Sequence, residues 1–159
     1  MEPESPRLRG VQIVAEPRSA AIRRLADYWE AQRGIAFAPS RDDIDPSAMK
    51  ADLPNLFMLD VLRDGADYRY RLVGTKVAAF SRRDVTGRTF SELYGNQPQV
   101  LEQVLAVFAK VLSTRRPVYA SGQVFWLADR NYREFEGGYF PLSRDEANVD
   151  IILCEVSFE

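Results

Sequence analysis

The sequence predicts an α+β domain: five mostly antiparallel strands, short helices gathered on one face, and an amphipathic helix ahead of them. Three observations predict it. Apolar residues recur at helical spacing in two segments, 19–34 and 97–114. Strand-like runs at 56–62 and 68–72 flank the turn signal Asp64-Gly65, and three further runs, 118–127, 131–141 and 149–158, fill the last third. No strand–helix–strand repeat runs through the chain, which argues against a doubly wound parallel sheet.

Residues 1–18 mix prolines and charges with one apolar patch, Val11 to Val14, and read as a flexible arm. The patch has the makings of an edge strand, limited by Pro17. The remainder, 19–159, reads as one domain. Ser19 offers an N-cap, Ile22, Leu25, Ala26 and Trp29 form an apolar stripe, and Gly34 ends the helix. Asp45-Pro46 opens a short helix, with proline at its first position. Leu56 to Leu62 is apolar apart from Asp60, as in a strand buried on both faces. Tyr68, Tyr70 and Leu72 alternate with Arg69 and Arg71, which predicts a strand with one wetter face.

Thr75 is placed to cap a short helix carrying Val77, Ala78 and Phe80, and Thr89-Phe90-Ser91-Glu92 fits a capping box closed by Gly95. Asn96 is the expected cap of the longest helix, 97–114, with Leu101, Val104, Leu105, Phe108, Val111 and Leu112 at helical spacing. Pro117 stops it, after Arg115 and Arg116 in the region where the helix dipole favours cations.

Composition narrows the chemistry. Hydrophobic residues are 46% and charged residues 28%, which excludes wholesale disorder. The chain has no histidine, which removes Ser-His-Asp and Cys-His catalysis, histidine metal ligands and histidine-ligated haem. The single cysteine, Cys154, allows no internal disulfide and no multi-cysteine zinc site. A net charge of −2 provides no field for nucleic acid. No apolar run approaches the ~18 residues of a membrane span, and the polar start is not a secretory signal, so a cytoplasmic protein is expected. The acidic stretch Asp42, Asp43, Asp45 reads as helix capping rather than a metal site.

Several blocks together resemble a PAS domain, in particular the short stand-alone bacterial PAS proteins that begin with a Leu-x-x-Tyr-Trp helix. The blocks are Leu25-Ala26-Asp27-Tyr28-Trp29, Arg41-Asp42-Asp43-Ile44-Asp45-Pro46 and Leu53-Pro54-Asn55-Leu56-Phe57-Met58-Leu59-Asp60, followed by Tyr68 to Thr75, Asp84 to Thr89, and Pro141-Leu142. The resemblance covers residues 20 to 158 and implies a five-stranded sheet whose concave face, closed by the short helices, holds a small ligand. It also implies that the N-terminal helix covers the opposite face and commonly takes part in dimers. Flavin photochemistry of the PAS type needs a cysteine on a cleft helix, and Cys154 lies in the last strand instead. Cysteinyl flavin is therefore argued against along with histidine-ligated haem, and the identity of any cofactor stays open.

The expected ligand-contacting residues are Tyr70, Leu72, Phe80, Phe108, Phe125, Trp126, Tyr139 and Cys154, which either line a cavity or fill a solid core. Ile22, Leu25 and Trp29 are the expected dimer or partner surface. No catalytic residue and no metal ligand is assigned. The expected function is a non-enzymatic signalling module that binds a small apolar or amphipathic molecule, acting as a homodimer or by docking to a protein partner. A ligand-free docking adaptor is the alternative. An isomerase-type cup is a third, pairing Glu134 or Glu136 with Tyr132 or Tyr139.

Overall fold

The computed structural model describes residues 7–125 and 133–158. In chain order the main elements are β1 (Arg7–Val14), α1 (Ala20–Arg33), β2 (Leu56–Leu62), β3 (Asp67–Val73), α2 (Thr75–Ser81) and α3 (Phe90–Tyr94). They continue with α4 (Pro98–Thr114), β4 (Val118–Phe125), β5 (Arg133–Leu142) and β6 (Ile151–Phe158). Single 3₁₀ turns at Arg41–Asp43, Pro46–Met49 and Leu53–Asn55 carry the chain from α1 to β2, and a fourth, Arg63–Gly65, makes the β2–β3 connection.

All pairings in the sheet are antiparallel, in the order β1-β4-β5-β6-β2-β3. The sheet therefore has six strands where the sequence predicts five. The sixth is β1, drawn from the segment read as a flexible arm: residues 7–14 pair along the edge strand β4, with a register shift between Arg9 and Gln12. Pro17 falls beyond the strand and removes no ladder hydrogen bond.

Two apolar layers sandwich the sheet. On the concave face α2, α3 and α4 enclose Phe57, Leu59, Tyr68, Tyr70, Ile152 and Cys154. On the convex face α1 lies over Leu56, Met58, Phe140, Leu142, Ile151 and Leu153. This explains the apolar character of β2 and β6 on both faces: their alternate residues belong to different cores.

Ser19 caps α1 by accepting the Ile22 N–H at 3.2 Å, and Gly34 takes φ 58° at its end. The apolar stripe of α1 is spent within the chain. Ile22, Leu25 and Trp29 are buried to 2% exposure or less, and the Trp29 indole N–H donates to the Pro141 carbonyl at 2.8 Å. A Cβ at Gly138 would stand 2.6 Å from the Ile22 Cγ2, so the missing side chain lets the helix approach the strand.

The caps of the middle segment are local except one. Asp45 accepts from Ser47 N–H at 3.0 Å, Asp43 closes a capping box with Ser40, and Thr89 with Glu92 closes another at α3. Gly74 and Gln97, rather than Thr75 and Asn96, occupy the N-cap positions of α2 and α4. The exception is Asp67, buried at the start of β3. It accepts the Ser91 hydroxyl at 2.6 Å and the Ser91 and Tyr68 N–H groups at 3.1 and 2.9 Å, and so tethers α3 to the sheet. Burial pushes this carboxyl up, but those hydrogen bonds, aided by Arg63, outweigh it and hold the group below its ordinary range. Asp67→Ala is expected to cost about 2–3 kcal/mol in urea denaturation, because three donors lose their acceptor at once.

Candidate functional site

Between the concave face and the helices lies a cavity of about 130 Å³. β2 and β3 contribute Phe57 and Tyr70, α3 contributes Phe90 and Tyr94, and α4 contributes Gln103, Val104, Val107 and Phe108. β4, β5 and β6 close the floor with Ala120, Val124, Phe135, Tyr139, Val156 and Phe158. The rings form a connected set: Tyr70 stacks on Phe90 at 4.9 Å, and Phe90 meets Tyr94 and Phe108 edge-on at 5.3 and 5.6 Å. Phe80 of α2 stacks on Phe158 at 3.9 Å, with the Arg133 guanidinium lying over both rings.

Among the described residues, no lining residue is an acid, lysine or arginine. The Tyr70 and Tyr94 hydroxyls satisfy each other at 3.2 Å. Burial raises both phenols and the Tyr139 phenol, and it raises the Cys154 thiol as well. The space is consequently neutral throughout the physiological range, and an ionised ligand entering it would lose its hydration without a counter-charge.

Of the residues expected to contact ligand, the structure brings Tyr70, Phe80, Phe108 and Tyr139 to this cavity. Cys154 is fully buried in the same core, behind the lining. Leu72 is not there. A bulge opposite Met58 and Leu59 inserts Arg71 into β3, so Leu72 pairs with Met58 and projects 42% exposed on the convex side; one extra residue reverses every later side chain. Phe125 is half-buried and follows the cavity-lining Val124, so strand alternation turns it to the other face. Trp126 lies outside the described residues, as do Tyr132 and the connection at 129–131.

Ile22, Leu25 and Trp29 are a correction of a different kind. They are core, and a partner cannot reach them while α1 is docked. The pairing of Glu134 or Glu136 with Tyr139 is also undone by alternation, and the pairing with Tyr132 lies outside the described residues. Glu134 and Glu136 border a polar groove of about 620 Å³ on the convex side, where Glu136 accepts the Arg18 and Ser19 N–H groups at 2.9 and 2.6 Å. Tyr139 faces the opposite way, into the cavity.

Sequence reasoning missed Phe57, Phe90, Tyr94 and Gln103. A signal for the last was present: Gln103 stands three residues after Val100 and four before Val107, a polar residue within a buried helical stripe. Glu155 was also missed. It is 1% exposed on the convex face of β6, both carboxylate oxygens lack a hydrogen-bond partner, and burial, then the neighbouring Asp52 carboxylate, pushes it up to about 8. Asp52 is itself paired with Arg24 of α1 at 2.8 Å.

Among the described residues no helix is long and apolar enough to cross a membrane. Comparison with curated proteins and with solved structures returns no match. Comparison with family models matches residues 17–153 to the PAS domain, a family of sensory and signalling modules that are generally not enzymes. The match runs from the cap of α1 into β6, and it agrees with an antiparallel sheet closed on its concave side by short helices; the chain belongs to the PAS domain family.

Proposed function

We propose that this PAS domain is a sensor whose concave cavity binds one small, neutral, apolar or amphipathic molecule, and that occupancy alters its association with itself or with a protein partner in a signalling pathway. The observation that carries this reading is the cavity itself: about 130 Å³, walled mainly by aromatic and aliphatic side chains, with no charged residue among the described ones that line it. A solid core of close-packed side chains would leave no such space. Ligand in contact with both the sheet and the helices α2 to α4 would act as a differential-affinity switch, favouring whichever arrangement of those elements fits it better.

Native mass spectrometry of freshly purified protein, set against its denatured mass, tests both halves. A discrete extra mass that leaves on denaturation supports the sensor, and the subunit count reports the homodimer directly. Ala120→Leu supplies the control. Ala120 is 1% exposed and lines the cavity, so a larger side chain there occupies the ligand's space. The variant is expected to lose the extra mass while keeping the fold, with a stability change of about 1–2 kcal/mol either way. A wild-type protein without extra mass, and whose oligomeric state no added small molecule alters, removes the ligand half of the proposal.

The alternative, a ligand-free adaptor docking through the exposed part of α1, would keep Ile22, Leu25 and Trp29 in the core and engage a partner through the outer face of the helix instead.

A further inference from the structure

Gln103 lines the cavity, and its Oε1 is buried without a hydrogen-bond partner. Leaving such an atom unpaired costs about 1–3 kcal/mol, and a solid core would favour an apolar residue here. The hydroxyls of Tyr70 and Tyr94, by contrast, are already paired with each other. Resting on the sensor reading above, we infer that the cavity takes a single-ring aromatic molecule carrying one hydroxyl, with the ring among Phe57, Phe90, Tyr94 and Phe108 and the hydroxyl on the Gln103 carboxamide.

Three features select this class. The volume, about 130 Å³, is close to the roughly 150 Å³ of a dry cavity known to hold benzene. It is therefore of a size to hold one ring. The walls present ring faces and edges in several orientations, with centroids 4.9 to 5.7 Å apart, and a planar guest extends that pattern by offset or edge-on contacts. A hydroxyl both donates and accepts, so it satisfies the Gln103 amide in either of its flipped orientations, while adding no charge to a neutral site.

The test uses phenol and toluene, nearly equal in shape, on the full chain by calorimetric or NMR titration. Phenol is expected to bind about tenfold tighter than toluene, the worth of one hydrogen bond to a buried acceptor. Gln103→Met conserves volume and should bring phenol down to the toluene level without moving toluene; Gln103→Leu should repeat this if the methionine variant proves unstable. Ala120→Leu should abolish both. Equal affinities in the wild type, or a phenol preference that survives Gln103→Met, overturn the assignment of the hydroxyl to Gln103. Toluene binding that Ala120→Leu removes would still leave the sensor reading standing. If neither probe binds, the inference falls, and the native mass spectrometry above decides the sensor reading separately.

Discussion

Glu155→Gln is expected to flatten the pH dependence of stability between about pH 4.5 and 8 and to make the protein more stable than wild type at pH 8. The folded chain holds the Glu155 proton up to about 8, whereas the unfolded chain releases it near the ordinary value of 4.5. Across that window the folded state binds more protons. Stability therefore falls as pH rises, by up to about 1.4 kcal/mol per pH unit, and the loss is complete only above the folded value. Glutamine resembles the protonated acid in shape and carries nothing to ionise, so the variant escapes the slope.

The comparison is unusually clean in this chain. It has no histidine to titrate in the same range. Asp45, Glu92 and Asp145 are held below their ordinary range by hydrogen bonds, and burial lifts Cys154 above its own. Urea denaturation of both proteins at pH 5, 6, 7, 8 and 9 measures the effect. A flat wild-type profile would mean that Glu155 is ionised within the fold and that Arg24 accommodates its charge.

The second large effect is at Trp29. Trp29→Ala is expected to cost about 3–5 kcal/mol, the usual range for emptying a buried aromatic site. That is a large share of the roughly 5–15 kcal/mol that holds an ordinary domain folded. Trp29→Phe keeps the ring against Phe140 but loses the indole donor to the Pro141 carbonyl, and should cost about 1–2 kcal/mol. A charged replacement, Trp29→Asp, is expected to give insoluble or unfolded protein. Circular dichroism with size-exclusion chromatography distinguishes this from an interface: a folded, soluble Trp29→Asp monomer derived from a wild-type dimer would place Trp29 at a subunit contact instead.

These two residues also show where sequence reasoning stops. The α1 helix, its Ser19 cap and its apolar stripe were legible because capping and helical spacing are local. What covers the stripe was not. Nothing within residues 19–34 states whether Phe140 or a second chain lies above Trp29, since that contact joins residues more than a hundred positions apart. Glu155 was invisible for the same reason. Its neighbours Asp52 and Arg24 come from distant segments, and in sequence it is one acid at the end of an apolar strand.

The sequence by itself determined the α+β class, the order of helices and strands from α1 onward and the capping box at Thr89. It also excluded every histidine-dependent chemistry. Each of these depends on periodicity, on turn and cap residues or on composition, and these act over a few residues or over none. Tertiary structure alone decided which side of each strand faces the cavity. β2 and β6 are apolar on both faces, so alternation carries no inside or outside there, and the single inserted residue at Arg71 sends Leu72 outward while Tyr70 stays within. It also recruited Arg7–Val14 as a sixth strand, because an edge in need of pairing is a property of β4 in the folded sheet and not of the segment that covers it.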